Sequence, residues 1–261
     1  MDYFAPLRSD LKQKILLSLL NGEKKIAELT ADVGTRETSI LHVLKEFEAL
    51  NLTTKFGGTY KLTSLGIIDA QICKECYTAT EVIEKFRDFW LSHDISPIPP
   101  HLILRTGALK DSSLIKTETS ELGKVHQTFL QVLMSSKGVK GSSPIFHSDF
   151  VEVFKQLLNQ GEPVELVLTS AVLEKTLATA ESELLKKYIA EGRLKIYLKD
   201  DLKVALTVTE SAFSLGLYTL NSEYDYNMDL VSFSQDAILW GNELFQECVK
   251  GSRRIGLDTA N

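Results

Sequence analysis

The sequence predicts a chain of α+β and α/β character. A small, mostly helical domain closed by a β-ribbon comes first, then a long linking helix, then a larger mixed-sheet α/β domain. Three observations predict it. Between residues 9 and 63, three short apolar-periodic segments precede two β-prone runs that flank Gly57-Gly58. From residue 65 to 92, apolar residues recur at steps of three and four, with no Pro or Gly between Ile67 and His93. Beyond Ser96-Pro97-Ile98-Pro99-Pro100, strand-like and helix-like runs alternate, which means a sheet with helices on its faces. The expected boundaries are 1–64, 65–95 and 96–261.

In the first domain, Leu11, Ile15, Leu16 and Leu19 stripe one helix, and Ile26 and Leu29 a second, shorter one. Val33-Gly34 turns the chain into a third helix striped by Ile40, Leu44 and Phe47, with Thr35 expected as its N-cap. Two helices about a tight Gly-containing turn are the sequence form of a helix-turn-helix. The runs 52–56 and 59–62 around Gly57-Gly58 then form a hairpin. Together they read as a winged helix-turn-helix, a reader of double-stranded DNA. The face of the third helix opposite its apolar stripe carries Arg36, Thr38, Ser39, His42 and Lys45. Recognition helices touch bases mainly through their first turns, so Thr38, Ser39 and His42 are the expected base-edge contacts. Arg36 and Lys45 suit guanine or phosphate, and Lys55 and Lys61 on the ribbon suit backbone or minor groove.

Charge qualifies this expectation. The chain carries a net −6, but residues 1–63 hold nine Lys/Arg against eight Asp/Glu, so the acidity lies in the rest. Phosphate contacts need a locally basic surface rather than a basic protein. A field this weak calls for a second copy. The long helix offers one: Ile68, Ile72, Cys76, Ala79, Ile83, Phe86 and Trp90 follow its period. Ile72, Ile83, Phe86 and Trp90 are the expected contacts across a two-fold axis, with packing against the same chain as the equal alternative. A helix approaching thirty residues spans about 40 Å. Recognition helices of a dimer sit about 34 Å apart, so such a helix suits the role of a lever.

In the last domain the pattern predicts helix over 101–109, strand over 113–116 and helix over 122–134. A Gly/Ser-rich strand or loop follows at 137–146, then a helix striped by Phe150, Val151, Phe154, Leu157 and Leu158 and capped by Gly161. Val164–Leu168, apolar except for Glu165, is expected as a strand buried on both faces. Helices at 171–178 and 181–191, a strand at 194–198, a hairpin of 204–208 with 212–217, a strand at 230–233 and a helix at 235–250 complete it.

Other chemistry is sparse. Cys73 and Cys76 form a CxxC, which suits a thiol switch or half of a zinc site. A zinc site needs two more ligands, and Cys248 lies far off. The expectation is that Cys76 packs in the helix seam and Cys73 is incidental. His93, His101, His126 and His147 are scattered, and no GxSxG, P-loop or Rossmann fingerprint occurs. Asp200-Asp201 reads as a solvated acidic turn. Tyr224, Asp225 and Tyr226 form a polar loop that suits either a pocket wall or a surface turn. Trp240 and Phe245 read as core. No cofactor, no metal and no enzyme activity are expected. Three cysteines, no run long enough to span a bilayer, and a start (Met1-Asp2-Tyr3-Phe4) without a basic or apolar leader fit a cytoplasmic protein.

With these motifs placed, nearly the whole chain resembles the archaeal, methanogen-type winged-helix transcriptional regulators related to the one that controls methanogenesis and filament formation. Thr38-Ser39-Ile40-Leu41-His42-Val43-Leu44-Lys45 stands where ArsR-type winged helices have their recognition-helix core. Ile98-Pro99-Pro100 and the segment Ile238-Leu239-Trp240-Gly241-Asn242-Glu243-Leu244-Phe245 look like that family's regulatory domain. The resemblance implies a dimeric regulator whose last domain senses a small-molecule effector or a partner. The α/β order is also similar to the phospholipase-D-like scaffold of some archaeal sugar-sensing regulators, but the HxKxxxxD signature is absent. A phosphodiesterase-like enzyme and a protein–protein adaptor that keep the winged helix are the alternatives.

Overall fold

The computed structural model describes residues 9–116, 130, 132–179 and 182–256. They form two compact units that divide between Thr80 and Glu81. The helix expected as a separate linker over 65–95 therefore contributes to both.

In the first unit the order is α1 (Asp10–Leu20), β1 (Lys24–Lys25), α2 (Ile26–Val33), α3 (Glu37–Ala49), β2 (Thr53–Phe56) and β3 (Thr59–Leu62). Local chemistry fixes each end. Ser9 caps α1 by accepting from the Lys12 amide. The Glu28 carboxylate accepts from the Lys25 amide at 2.6 Å and closes the start of α2. Gly34, at φ 69°, ends α2 in the left-handed region and gives its N–H to Thr30 O. Gly57 and Gly58 hold φ of 55° and 85° between the paired Phe56 and Thr59, the backbone of a two-residue hairpin with twist matched to its strands. The sheet runs β1-β3-β2, all antiparallel, with the two-residue β1 unforeseen in the sequence. Ile15, Leu16, Leu29, Ile40, Leu44, Phe47, Leu52 and Tyr60 make its core.

Thr63 leads into α4 (Ser64–Lys85): its hydroxyl accepts from the Gly66 amide at 3.1 Å, and its own amide reaches Leu52 O at 2.9 Å. α4 stops at Phe86, whose φ and ψ of −113° and 30° leave the helical region, and α5 (Arg87–Ser92) follows. The single helix expected to residue 92 is thus two. The expected seam also divides. Ile68, Ile72 and Ile83 are 58%, 49% and 47% exposed, whereas Phe86 is buried in the second unit's core and Trp90 packs on that core. Phe86 and Trp90 are accordingly corrected from dimer contacts to residues packed on their own chain, the alternative the sequence left open; Val82, one turn before Phe86, is buried in the same core.

The second unit continues with α6 (Pro100–Ile103), a 3-10 turn (Thr106–Leu109), β4 (Ser113–Lys116) and β5 (Val139–Ser143). Then come α7 (Ser148–Gln160), β6 (Val164–Leu168), α8 (Ser170–Thr179), α9 (Ser182–Ala190) and β7 (Leu194–Leu198). β8 (Val204–Val208), β9 (Phe213–Leu217), β10 (Met228–Ser232), α10 (Gln235–Val249) and β11 (Arg253–Arg254) complete it. The start of the helix expected at 122–134 lies outside the described residues; 132–134 are helical. One mixed sheet runs β11-β7-β6-β5-β8-β9-β10-β4: β5, β6 and β7 are parallel, and the remaining pairs antiparallel.

The two faces differ. On one, Val204, Leu206, Val208, Phe213, Leu215 and Leu217 meet α10 and the 81–109 segment. On the other, α7, α8 and α9 cover the parallel half through Leu157, Leu166, Leu168, Tyr188 and Ile196. Asp200-Asp201 forms an exposed turn, as expected, and Asp200 also accepts from the Ser170 amide (2.7 Å) and hydroxyl (3.0 Å) at the start of α8.

Gly66 is the tightest point of the first unit, since a Cβ there would lie 1.9 Å from Leu52 O. Backbone cannot swing away as a side chain can. Gly66→Ala is therefore expected to destabilise the first unit by roughly 2 kcal/mol or more, in the range of core overpacking. Thermal unfolding followed by circular dichroism measures it, and an unchanged melt would contradict the packing.

Candidate nucleic-acid interface

The outward face of α3 follows from its inward one. Ile40, Val43, Leu44 and Phe47 are buried, so the helical period turns Thr38, His42 and Lys45 to solvent, with Ser39 half-buried. Arg36 occupies the N-cap with extended backbone (φ −68°, ψ 141°) and an exposed side chain, and its carbonyl accepts from the Ser39 and Ile40 amides. Thr35 is therefore not the cap: the helix starts one residue later than a hydroxyl cap would require. Arg36, Thr38, Ser39, His42 and Lys45 thus gather on α3 and its entry.

Neighbouring carboxylates temper this surface. Glu46, one turn beyond His42, lies 3.2 Å from its Nε2 and 2.5 Å from Lys12 Nζ. The Lys12 hydrogen bond, opposed by partial burial and aided by its charge, holds Glu46 below the usual glutamate range. Asp32 is held low by Lys24 (2.8 Å) and by the Ser18 hydroxyl (2.6 Å). Lys12 and Lys24 are thus engaged within the unit. Among the residues expected to face DNA, Arg36, Lys45, Lys55 and Lys61 are the cations for which the described contacts show no carboxylate at ion-pair distance.

The wing places Lys55 and Lys61 on β2 and β3, both exposed. Lys55 lies across from Tyr60 in the ladder, with its Nζ 5.0 Å from the ring centroid, and the Tyr60 hydroxyl holds the lysine above its ordinary range. Lys61 pairs with Thr54. The wing tip also presents Phe56, 80% exposed, which went unselected in the sequence because it reads as an ordinary strand residue. Its position directly before Gly57-Gly58 was the available signal. An exposed aromatic at a ribbon tip between lysines suits contact with a sugar or base edge.

Two models of one family cover most of the chain. Residues 5–80 match the N-terminal domain of the methanogenesis regulatory protein FilR1, and residues 122–251 match its middle domain. The methanogenesis regulatory protein FilR1 of Methanothrix harundinacea (strain 6Ac) is 32% identical over 254 residues, which cover 95% of this chain. The chain belongs to the FilR1 family. It spans only 56% of that relative's length. Among solved structures, TrmBL2, described as an archaeal chromatin protein with a novel mode of DNA binding, aligns with 94% of this chain and 93% of its own. The TM-score is 0.45 and the identity 12%. Nuc of Salmonella typhimurium, a phospholipase D family member, aligns with 56% of this chain and 99% of its own, at a TM-score of 0.39 and 13% identity.

The segments that carried the resemblance have structural work in the second unit. Pro99 and Pro100 start α6, and Ile98 is buried. Asn242 accepts from Lys140 Nζ at 2.8 Å, and Glu243 pairs with Arg105 at 2.6 Å.

The CxxC divides between environments. Cys73 is buried in α4 and Cys76 is exposed, the reverse of the expected order. Burial first, with Cys76 and Asp69 adding, pushes the Cys73 thiol up to about 11. The two sulfurs therefore do not present a matched pair of ligands. A thiol reagent at pH 8 is expected to modify Cys76 rapidly and leave Cys73 and the buried Cys248 unmodified until the protein unfolds. Peptide mapping of the labelled native chain checks this, and early label on Cys73 would contradict it.

Proposed function

We propose that the protein is a DNA-binding transcriptional regulator that works as a homodimer, with a second unit that responds to a small-molecule effector. The observation that carries this is the outward face of α3. Arg36, Thr38, Ser39, His42 and Lys45 project from a helix whose other face is locked in the winged-helix core, with the Lys55–Lys61 wing beside it. Such a helix is held rigidly enough to enter a major groove, and the wing suits phosphate or minor groove. The regulatory description of the FilR1 relative supports it. Among the described residues no helix is long and apolar enough to cross a membrane.

The test is a mobility shift on the DNA upstream of the protein's own coding sequence. Binding is expected to weaken steeply with salt, as counterion release requires. His42→Ala combined with Lys45→Ala is expected to lower affinity at least tenfold with the fold intact. A double variant that binds as the wild type does would remove α3 as the reader.

A second copy supplies what one unit's weak field does not. Of the exposed apolar positions on α4, Ile72 and Ile83 are the two offered to it, at a helical spacing that a two-fold axis can match. Sedimentation equilibrium is expected to give twice the chain mass, with Ile83→Glu giving the monomer mass. A wild type that sediments as a monomer would refute the dimer.

A further inference from the structure

The second unit's sheet is packed unequally, and the order of its elements accounts for it. β5, β6 and β7 are linked through α7, α8 and α9, which return over one face. β8, β9 and β10 follow one another with no helix between them. On that face a cavity of about 340 Å³ stands beside α7, over β5, β8 and β9.

The register shows what lies beneath it. Gly141 of β5 stands opposite Thr207 of β8, and Thr207 opposite Ser214 of β9. Ser143 follows Gly141 on the same face, and Ala205 stands opposite Gly216. Six small residues thus form two neighbouring cross-strand rows, three strands wide, and all six line the cavity. Leu206, Leu215 and Leu217, which alternate with them, belong to the core on the other face. Strand and residue spacings make the patch about 10 Å across and about 7 Å along the strands. Larger side chains raise its rims: Leu166 and Leu168 of β6 lie opposite Gly141 and Ser143, and Val231 of β10 opposite Ser214. Protein interiors hold few voids larger than a water molecule, so folding alone does not account for one of this size. The volume falls within the roughly 300–1,000 Å³ of small-molecule sites.

Aromatic rings stand at both ends of the floor. Phe150 and Phe154 of α7 stack with centroids 6.0 Å apart, and they wall the end next to the parallel half that α7 covers. Tyr224 and Tyr226 meet edge to face at 4.9 Å. A Cβ on Gly216 would collide with the Tyr224 hydroxyl, so the tyrosines wall the β9 end.

We propose that this cavity binds a planar aromatic small molecule of two or three fused rings, lying flat on the small-residue floor with its edges against the phenylalanine and tyrosine rings. Short side chains let one face of the molecule approach the peptide planes of the sheet. The surrounding rings offer offset and edge-on contacts, which favour an aromatic partner over a saturated one of the same skeleton. A saturated ring system is puckered and cannot lie flush on the floor. Recognition by shape and ring contact is independent of the polar groups that the ligand carries.

As the effector site, the cavity rests on the effector-responsive reading above, but its test is independent of DNA. The full chain is titrated by calorimetry at pH 7 with 2-naphthol and, separately, with decahydro-2-naphthol, its saturated counterpart. One site per chain is expected for 2-naphthol, at least tenfold tighter than for the saturated alcohol. Ala205→Leu, which puts a large side chain on the middle strand of the floor, is expected to weaken 2-naphthol binding at least tenfold while the chain still melts cooperatively. Phe150→Leu is expected to reduce the preference for the aromatic alcohol at least threefold. No saturable binding of 2-naphthol, equal or tighter binding of the saturated alcohol, wild-type affinity in a folded Ala205→Leu, or an unaltered preference in a folded Phe150→Leu would each overturn the site. Where the variants do not fold, the ratio of the two alcohols on the wild type decides by itself. A wild type that binds 2-naphthol in this way but gives no mobility shift defeats the regulator reading alone. One that shifts DNA but does not bind 2-naphthol defeats the site alone.

Discussion

Trp240 is fully buried, gives its indole N–H to Leu102 O at 2.9 Å and meets Phe213 edge-on with centroids 5.9 Å apart. Next to it, Gly241 lets α10 press onto the sheet: a Cβ there would lie 2.5 Å from the Phe213 ring. One side chain thus joins α10, α6 and β9, and one missing side chain sets how closely they stand. The rest of the second unit follows from that contact. With α10 seated so near, Leu206, Val208, Phe213 and Leu215 must point toward it, and the period of two then fixes which residues point the other way. The unequal faces of the sheet, and the cavity on the second of them, are consequences of that register.

The first unit is organised by a different constraint, the close approach of backbone to backbone. Thr63 and Gly66 hold the start of α4 against Leu52, the residue that leads from α3 into the wing. α3 and the hairpin therefore do not move independently at this corner. Charge works in the same direction. Lys12–Glu46 joins α1 to α3, and Lys24–Asp32 joins β1 to α2. These exposed pairs add little stability individually. They do fix which cations stay within the unit, while Arg36, Lys45, Lys55 and Lys61 have no described carboxylate at ion-pair distance.

Legibility in the sequence followed the strength of local signals. The helices and hairpin of the first unit were plain because apolar spacing, Gly34 and Gly57-Gly58 each force one backbone outcome. The central strand 164–168 was plain because four of its five residues are apolar; Glu165, the exception, is half-buried and pairs with Lys195 at 3.1 Å. α4 was harder. Ile68, Ile72 and Cys76 lie on one stripe, and Ala70 and Cys73 on another; periodicity finds both and cannot say which one the chain buries. Cys73 and Cys76 were interchanged for that reason, and Phe86 and Trp90 were assigned outward because no Pro or Gly announces the break at Phe86. β1 and β11, two residues each, are made by pairing with distant strands and have no local signature. The cavity was nearly invisible, since Gly, Ser and Ala mark a floor only once the register is known. Only the loop Tyr224-Asp225-Tyr226 gave notice of it, and the structure puts both tyrosines on its wall.

That loop is tied to the entry of the second unit through a fully buried histidine. His93, at the end of α5, places Nδ1 2.7 Å from Phe89 O and 3.0 Å from Ser92 Oγ. Its Nε2 lies 3.3 Å from Asp225 Oδ2 without the alignment of a hydrogen bond. Backbone bonds run beside it, from the Asp94 amide to Tyr218 O and from the Leu220 amide to Ser92 O. A buried polar group without a partner costs about 1–3 kcal/mol, and the contacts at Nδ1 together with the two backbone bonds hold the ring where Nε2 faces Asp225, so the end of α5 and the segment 218–225 form one connected corner of the second unit.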